Sequence, residues 1–152
     1  MLLGSFTHTV DKKGRVFLPA KWRGELGEIV ILSQALTDIR RGVALEVMSM
    51  DAYVRRKQKL INVPDGNTSA VDLKRMVMYT TSDCEVDGQG RILIPITLRE
   101  LAKIEGEVVM IGMYDSVELW SPANWGAFYG KYKDDPYAWE SGIAAMVHSG
   151  DE

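Results

Sequence analysis

The chain has 152 residues, 46% hydrophobic and 26% charged, the balance of a folded protein, and no run of about 18 apolar residues that would suit a membrane-spanning helix. A single cysteine, Cys84, excludes an internal disulfide framework, and the opening MLLGSFTHTVDKKGR lacks the basic-then-apolar pattern of a secretory leader, so a cytoplasmic location is expected. Net charge is −3, but residues 1–76 hold 13 Lys and Arg against 8 Asp and Glu while residues 77–152 hold 5 against 13, so a basic face is compatible with an acidic whole.

In chain order, a strand is expected over Ser5–Val10, then a turn containing Gly14 and a short apolar run, Val16–Leu18, stopped by Pro19, which has no N–H for a sheet ladder. Pro19 suits the start of a helix over Ala20–Leu26. Strands Glu28–Leu32 and Ala44–Met48 follow, then a helix opened by Asp51. Val63-Pro64-Asp65-Gly66-Asn67 reads as a turn. Ser69 is expected to cap a helix whose Val71, Leu73, Met76, Val77 and Tyr79 pack between or beneath neighbouring units. The same series then restarts: strand Thr80–Val86, turn with Gly90, Ile92–Ile94, Pro95 and a helix over Ile96–Ile104. Strands Glu107–Gly112 and Ser116–Trp120 form a hairpin about Met113-Tyr114-Asp115, and Ser121-Pro122 opens a helix. Asp134-Asp135-Pro136 divides an aromatic-rich tail into two helices, expected to pack on the body or on another protomer.

The restart is an internal duplication. Val10-Asp11-Lys12-Lys13-Gly14-Arg15-Val16-Phe17-Leu18-Pro19 recurs, 76 residues on, as Val86-Asp87-Gly88-Gln89-Gly90-Arg91-Ile92-Leu93-Ile94-Pro95. The same shift carries Arg23 onto Arg99. A shift of 72 carries Glu46-Val47-Met48-Ser49 onto Glu118-Leu119-Trp120-Ser121, which places four extra residues in the first copy near Thr37–Gly42. The expected organisation is a first repeat over 5–52, connecting helices over 53–79, a second repeat over 80–125 and a helical tail over 126–152. A unit of about 50 residues buries too little alone, so the two repeats are expected to share one core about a pseudo-twofold axis.

The repeated loop admits three readings. In the first, Gly14 and Gly90 merely supply a turn with positive φ. In the second, Asp-Gly-Gln-Gly-Arg cradles a phosphate; that fails because Ile-Leu-Ile-Pro follows, a strand and not the helix such loops open. In the third, Lys12, Lys13 and Arg15, with Arg91 in the second copy and Lys21 and Arg23 just behind, contact nucleic acid. Arginine's planar fork matches phosphate oxygens or a guanine edge. Asp11 and Asp87 are badly placed to meet a polyanion but well placed to hold the arginines in one rotamer. A turn alone needs glycine; it does not need Asp and Arg in both copies.

Asp-Lys-Lys-Gly-Arg-(x)3-Pro-(x)3-Arg, then Asp-Cys-Glu-Val-Asp-Gly-Gln-Gly-Arg-Ile-Leu-Ile-Pro and Val-Glu-Leu-Trp, resemble the MraZ family from about Leu3 to Trp125. The resemblance implies a β-rich α+β fold in which two AbrB-like swapped-hairpin repeats form one pseudo-twofold β-barrel with peripheral helices. It also implies a transcriptional regulator of the bacterial division and cell-wall gene cluster, associated with the nucleoid. Such a regulator would form ring-like homo-oligomers on double-stranded promoter DNA carrying repeated sites. The family's contacts map onto Asp11–Arg15 and Asp87–Arg91, although the second loop has Gly88-Gln89 where the first has Lys12-Lys13.

Other residues read more plainly. His8, His148 and Cys84 lack ligand spacing, so no metal, cofactor or small-molecule substrate is expected, and no nucleophile pattern suggests an enzyme. Trp22, Trp120, Trp125, Trp139 and Tyr79 are read as core ahead of base-stacking platforms, and Met76, Met78, Met110 and Met113 as core filling. Arg55-Arg56-Lys57 with Lys59 reads as a solvated helix face, narrowly ahead of an accessory DNA contact. The rival of another class is an antitoxin-like module whose C-terminal segment wraps a toxin protein.

Overall fold

The computed structural model of the chain describes residues 1–36 and 43–149. The first repeat runs β1 (Ser5–Thr9), β2 (Arg15–Phe17), α1 (Ala20–Leu26), β3 (Ile29–Gln34), β4 (Leu45–Ser49) and α2 (Met50–Arg56). After α3 (Gln58–Ile61) and α4 (Thr68–Thr80), the second repeats that order. It runs β5 (Ser82–Glu85), β6 (Arg91–Leu93), α5 (Ile96–Ala102), β7 (Glu107–Gly112), β8 (Val117–Trp120) and α6 (Pro122–Tyr132). A 3-10 turn at Pro136–Trp139 and α7 (Glu140–Ser149) complete the tail, divided at Asp134-Asp135-Pro136 as expected. The four-residue insertion expected near Thr37–Gly42 lies outside the described residues.

The strands form a six-stranded antiparallel sheet, β1-β7-β8-β4-β3-β5, and a separate two-stranded ribbon, β2-β6. The register obeys the sequence repeat. Strand β1 pairs with β7 of the other repeat, as β5 pairs with β3. In the ribbon Val16 faces Ile92, its own counterpart at a shift of 76, and Glu46 faces Glu118, its counterpart at a shift of 72. A pseudo-twofold axis therefore passes between the members of each pair.

The closed barrel anticipated from the sequence is not what the ladders make. Strands β1 and β5 remain as edges of the large sheet, and the ribbon shares no ladder with it among the described residues. The reason is local. The loops at Gly14 and Gly90 turn sharply, and β2 and β6 are three residues long. Each ribbon strand gains one further bond, Leu18 N–H to Gly90 O at 2.9 Å and Ile94 N–H to Gly14 O at 2.9 Å. Pro19 and Pro95 then end it.

One core is shared by both repeats. Val16, Leu18, Ile92 and Ile94 on the inner ribbon face, with Trp22 and Leu98 from α1 and α5, bury against Val30, Leu32, Val47, Val108, Met110, Val117 and Leu119 of the sheet. Alternation sends the other residues of these strands to the opposite face. There Ile31 and Met48 meet Ala52 and Tyr53 of α2, and Trp120 meets Trp125 and Phe128 of α6. Trp22, expected in the core, is fully buried, and its indole N–H donates to Leu3 O at 3.0 Å.

Several finer expectations are corrected. Helix α2 is capped two residues early: the Ser49 hydroxyl accepts from Ala52 N–H at 3.1 Å, and Asp51 sits inside the first turn. Helix α4 is capped by Asn67, whose side chain accepts from Ala70 N–H at 3.3 Å, because the Pro64 turn delivers Asn67 and not Ser69 to the cap position. The helix runs through Thr80, so β5 begins later than Thr80. Of its apolar residues only Val77 is buried; Leu73, Met76 and Tyr79 are exposed, since α4 lies against β3 at the flank and not between the repeats. Trp139 and Met113 are exposed as well. We expect Ser49→Ala and Asn67→Ala to cost about 0.5–2 kcal/mol each in chemical denaturation. Asp51→Ala and Ser69→Ala should cost only a few tenths, and the reverse ranking would reject these caps.

Between the two outer clusters sit Glu46 and Glu118, a like-charged cross-strand pair. Glu46 is buried, and Lys57 Nζ lies 3.0 Å from Oε2, although that oxygen has no properly angled hydrogen bond. Glu118 accepts from the Trp120 indole N–H at 3.1 Å. Burial, reinforced by the Glu46 charge and opposed by that hydrogen bond and by Arg56, raises its carboxyl above the ordinary range. A raised carboxylate means the folded state binds the proton more tightly, so stability rises as pH falls from neutral through the folded value, until the unfolded chain also protonates. Glu118→Gln should therefore stabilise at pH 7 by about 0.2–1 kcal/mol, with the gain shrinking towards pH 5 in thermal melts. A loss at pH 7 would show that Lys57 and Arg56 outweigh the repulsion.

Candidate nucleic-acid interface

The two loops that enter β2 and β6 have one geometry. In the first, Gly14 N–H donates to Asp11 O at 2.9 Å and Asp11 N–H to Arg15 O at 3.0 Å, closing the turn. The Asp11 carboxylate accepts from Lys13 N–H (3.0 Å) and Arg15 N–H (2.9 Å) on Oδ1, and from Arg15 Nε (2.7 Å) on Oδ2. Asp87 accepts from Gln89 N–H, Arg91 N–H and Arg91 Nε at 2.9, 2.9 and 2.8 Å. Each carboxyl is held below the usual aspartate range, first by the backbone N–H of the arginine, with the guanidinium's hydrogen bond and charge adding to it. Each aspartate thus locks both the loop backbone and one edge of its arginine, and the terminal guanidinium nitrogens are left on the outer face of the ribbon.

Glycine is required at both loops for two reasons. Gly14 has φ +90° and Gly90 φ +83°, where a side chain is strained. In addition, an arginine from the other repeat lies across each. A Cβ on Gly14 would come 2.5 Å from Arg99 Nε, and one on Gly90 would collide with the Arg23 guanidinium. Arg23 Nε donates to Leu18 O at 2.9 Å, and Arg99 Nε to Ile94 O at 2.8 Å, with an Arg99 terminal nitrogen reaching Lys13 O at 3.5 Å. The two arginines are cross-repeat braces. For Arg23 this bracing position adds to the nucleic-acid contact expected of it; the role of Arg99 was missed. The signal was present, since the 76-residue shift carries Arg23 onto Arg99 together with Gly14 onto Gly90.

Lys12 and Lys13 are exposed beside Arg15. Lys21 leans over the Phe6 ring, its Nζ 5.2 Å from the centroid. Arg55 and Arg56 lie within 3.7 Å of Asp115 carboxylate oxygens, and Lys57, its side chain only 12% exposed, meets Glu46, so that run is substantially neutralised and Lys57 is not part of a solvated face. No group of three or more metal-ligating side chains occurs among the described residues, and no helix in them is long and apolar enough to cross a membrane.

The loops are alike in shape but not in charge. Exposed Thr7 and Thr9 on β1 correspond to exposed Asp83 and Glu85 on β5, and Lys12-Lys13 to Gly88-Gln89. The second arginine is also less free. Register sets Arg91 opposite Phe17, and its guanidinium lies 5.9 Å from that ring, leaving the side chain 20% exposed; Arg15, opposite Leu93, is 35% exposed. The cationic end of the ribbon is the first loop.

The sequence profile described as “MraZ protein, putative antitoxin-like” matches residues 1–74 and again 77–140. The chain belongs to the MraZ family. Two matched stretches are the duplication seen in the sequence and in the strand register. Among its relatives, “Transcriptional regulator MraZ” of Caldanaerobacter subterraneus subsp. tengcongensis is 44% identical over 125 residues, 82% of this chain and 84% of that one. The protein of the same name from Halothermothrix orenii is 35% identical over 150 residues, 99% of each chain. That from Leuconostoc mesenteroides is 36% identical over 135 residues, 89% of this chain and 91% of the other. The solution structure of PHS018 from Pyrococcus horikoshii overlays with TM-score 0.34 at 17% identity, over 80% of this chain and 97% of that one, a likeness too loose to bear on the MraZ fold.

Proposed function

We propose that this MraZ-family chain is a transcriptional regulator that binds double-stranded promoter DNA through its Asp-x-x-x-Arg loops. The observation that carries the reading is the pair of carboxylate-locked arginines on the outer ribbon face, with Lys12 and Lys13 beside the first. A locked fork loses little entropy on meeting a phosphate or a base edge. Arg15, Lys12 and Lys13 supply the main contacts and Arg91 a weaker one; Lys21 and Arg23, engaged with Phe6 and Leu18, are secondary. The family name of the relatives, and their description as regulators, point the same way.

The finer parts of the reading follow from this. Two loops neutralise roughly 3–5 phosphates, which gives weak, steeply salt-dependent binding. Several protomers of a ring-like homo-oligomer on repeated sites would multiply that by effective concentration. The exposed tail residues Trp139, Ile143 and Met146 offer apolar surface for such contacts. The sites would lie in the promoter of a division and cell-wall gene cluster that includes the chain's own gene, on the nucleoid in the cytoplasm. The repeats would be AbrB-like swapped hairpins, in keeping with the β1-β7 and β5-β3 exchange. The test is binding to a duplex from its own upstream region across a salt series. The expected result is affinity falling steeply with salt; equal affinity for wild type and the Arg15→Ala/Arg91→Ala double variant would end the reading.

A further inference from the structure

The ribbon carries more than its arginines. Its inner face is sealed by Val16 and Ile92, each 1% exposed, while its outer face presents two cross-strand pairs, Arg15 with Leu93 and Phe17 with Arg91. Cation and hydrocarbon therefore alternate in a checkerboard. Phe17 is 44% exposed and Leu93 48%. They are counterparts under the 76-residue shift, so both repeats place a large apolar side chain at the one position of the outer face that lies between arginines. The core, closed beneath them, does not ask for this, although the Arg91 guanidinium lies over the Phe17 ring, and phosphate contact does not use it. Large hydrocarbon side chains beside Lys12, Lys13 and Arg15 suit a polyanion that also offers apolar groups at short range.

We propose that the β2-β6 ribbon enters the DNA major groove and that Phe17 and Leu93 read thymine methyl groups, which makes them specificity-determining residues. This rests on the reading above that the loops bind duplex DNA. The major groove, about 12 Å wide, admits a two-stranded ribbon, whereas the minor groove, about 6 Å, does not, and the C5-methyl of thymine is displayed only in the major groove. Arg15 and Arg91 then lie within reach of guanine edges or phosphates on either side of the methyl groups. The site is not symmetric. Phe17 is held beneath the Arg91 guanidinium, while Leu93 has only aliphatic freedom beside Arg15, so Phe17 is the more rigid reader.

The test needs no variant to begin with. Fluorescence anisotropy would compare the upstream duplex with the same duplex carrying deoxyuridine for thymidine, which removes only the methyl groups. An unrelated duplex treated the same way would control for altered DNA shape. Wild type should weaken roughly fourfold per methyl contacted on the upstream duplex alone. Phe17→Ala/Leu93→Ala should bind the thymidine duplex less tightly, lose the thymidine preference and keep the salt slope. Wild type that binds both upstream duplexes equally, or a double variant that keeps the full preference, overturns methyl reading while leaving DNA binding intact. Failure of wild type to bind any upstream duplex overturns the DNA reading itself.

Discussion

Arg15→Ala is expected to weaken binding to the upstream duplex about 10- to 100-fold, the loss of one bidentate contact, and Arg91→Ala only about fivefold. The asymmetry comes from the surroundings. Arg15 has Lys12 and Lys13 as neighbours, whereas Arg91 is folded over Phe17 and held by Asp87, in a repeat whose preceding strand exposes Asp83 and Glu85. Where an arginine meets phosphate, its loss should also reduce the slope of log affinity against log salt by about one. The decisive variant is Asp11→Ala. It removes a negative charge and leaves every cation in place, so bulk electrostatics alone would tighten binding. The geometry says otherwise: Asp11 holds Lys13 N–H, Arg15 N–H and Arg15 Nε, and without it both loop and fork are free. Weaker binding supports the brace, and tighter binding rejects it. The brace should be fully formed above the ordinary aspartate pKa of about 3.9. It should be lost only as pH falls through the lower folded value, since the carboxyl is depressed in the fold.

Gly14→Ala and Gly90→Ala should be among the most destabilising single changes in the chain. Each puts an L side chain at positive φ, at a cost on the order of 1–3 kcal/mol, and each evicts a guanidinium that donates to a ribbon carbonyl, worth about 0.5–1.5 kcal/mol. For a chain of this size that is a fall of roughly 5–15 °C in melting temperature. Two controls separate this from a general intolerance of substitution. Gly24 sits in α1 with nothing within 4 Å of a Cβ, so Gly24→Ala should stabilise by about 0.5–1 kcal/mol. In an Arg23→Ala background, Gly90→Ala should cost less than in wild type by about 0.5–1.5 kcal/mol, because only the backbone strain remains. Additive losses would show that Arg23 does not brace that loop.

Much of this architecture was legible in the chain because it depends on local chemistry. Helix α1 and strand β7 fall on their expected bounds: proline, glycine and a period-two or period-3.6 apolar pattern set such elements within a few residues. The Asp-Arg locks were legible too, since both partners lie four residues apart on one turn. Caps were misplaced by two residues at Ser49 and Asn67, because where a preceding strand or turn delivers the chain decides which polar side chain reaches the first free N–H.

The sequence by itself determined the duplication, the shared core and the pairing of each arginine with its aspartate, for these follow from repetition, apolar spacing and short loops. Only the tertiary structure decided which repeat each part serves. Arg23 and Arg99 cross the axis to lie over the opposite glycine, β1 and β5 leave their own repeats to find partners, and Arg91 falls opposite Phe17 while Arg15 meets Leu93. Those contacts join residues from 50 positions apart, Leu32 with Ser82, to 106, Ser5 with Ile111, set by how two half-cores close on each other, and no local pattern encodes them.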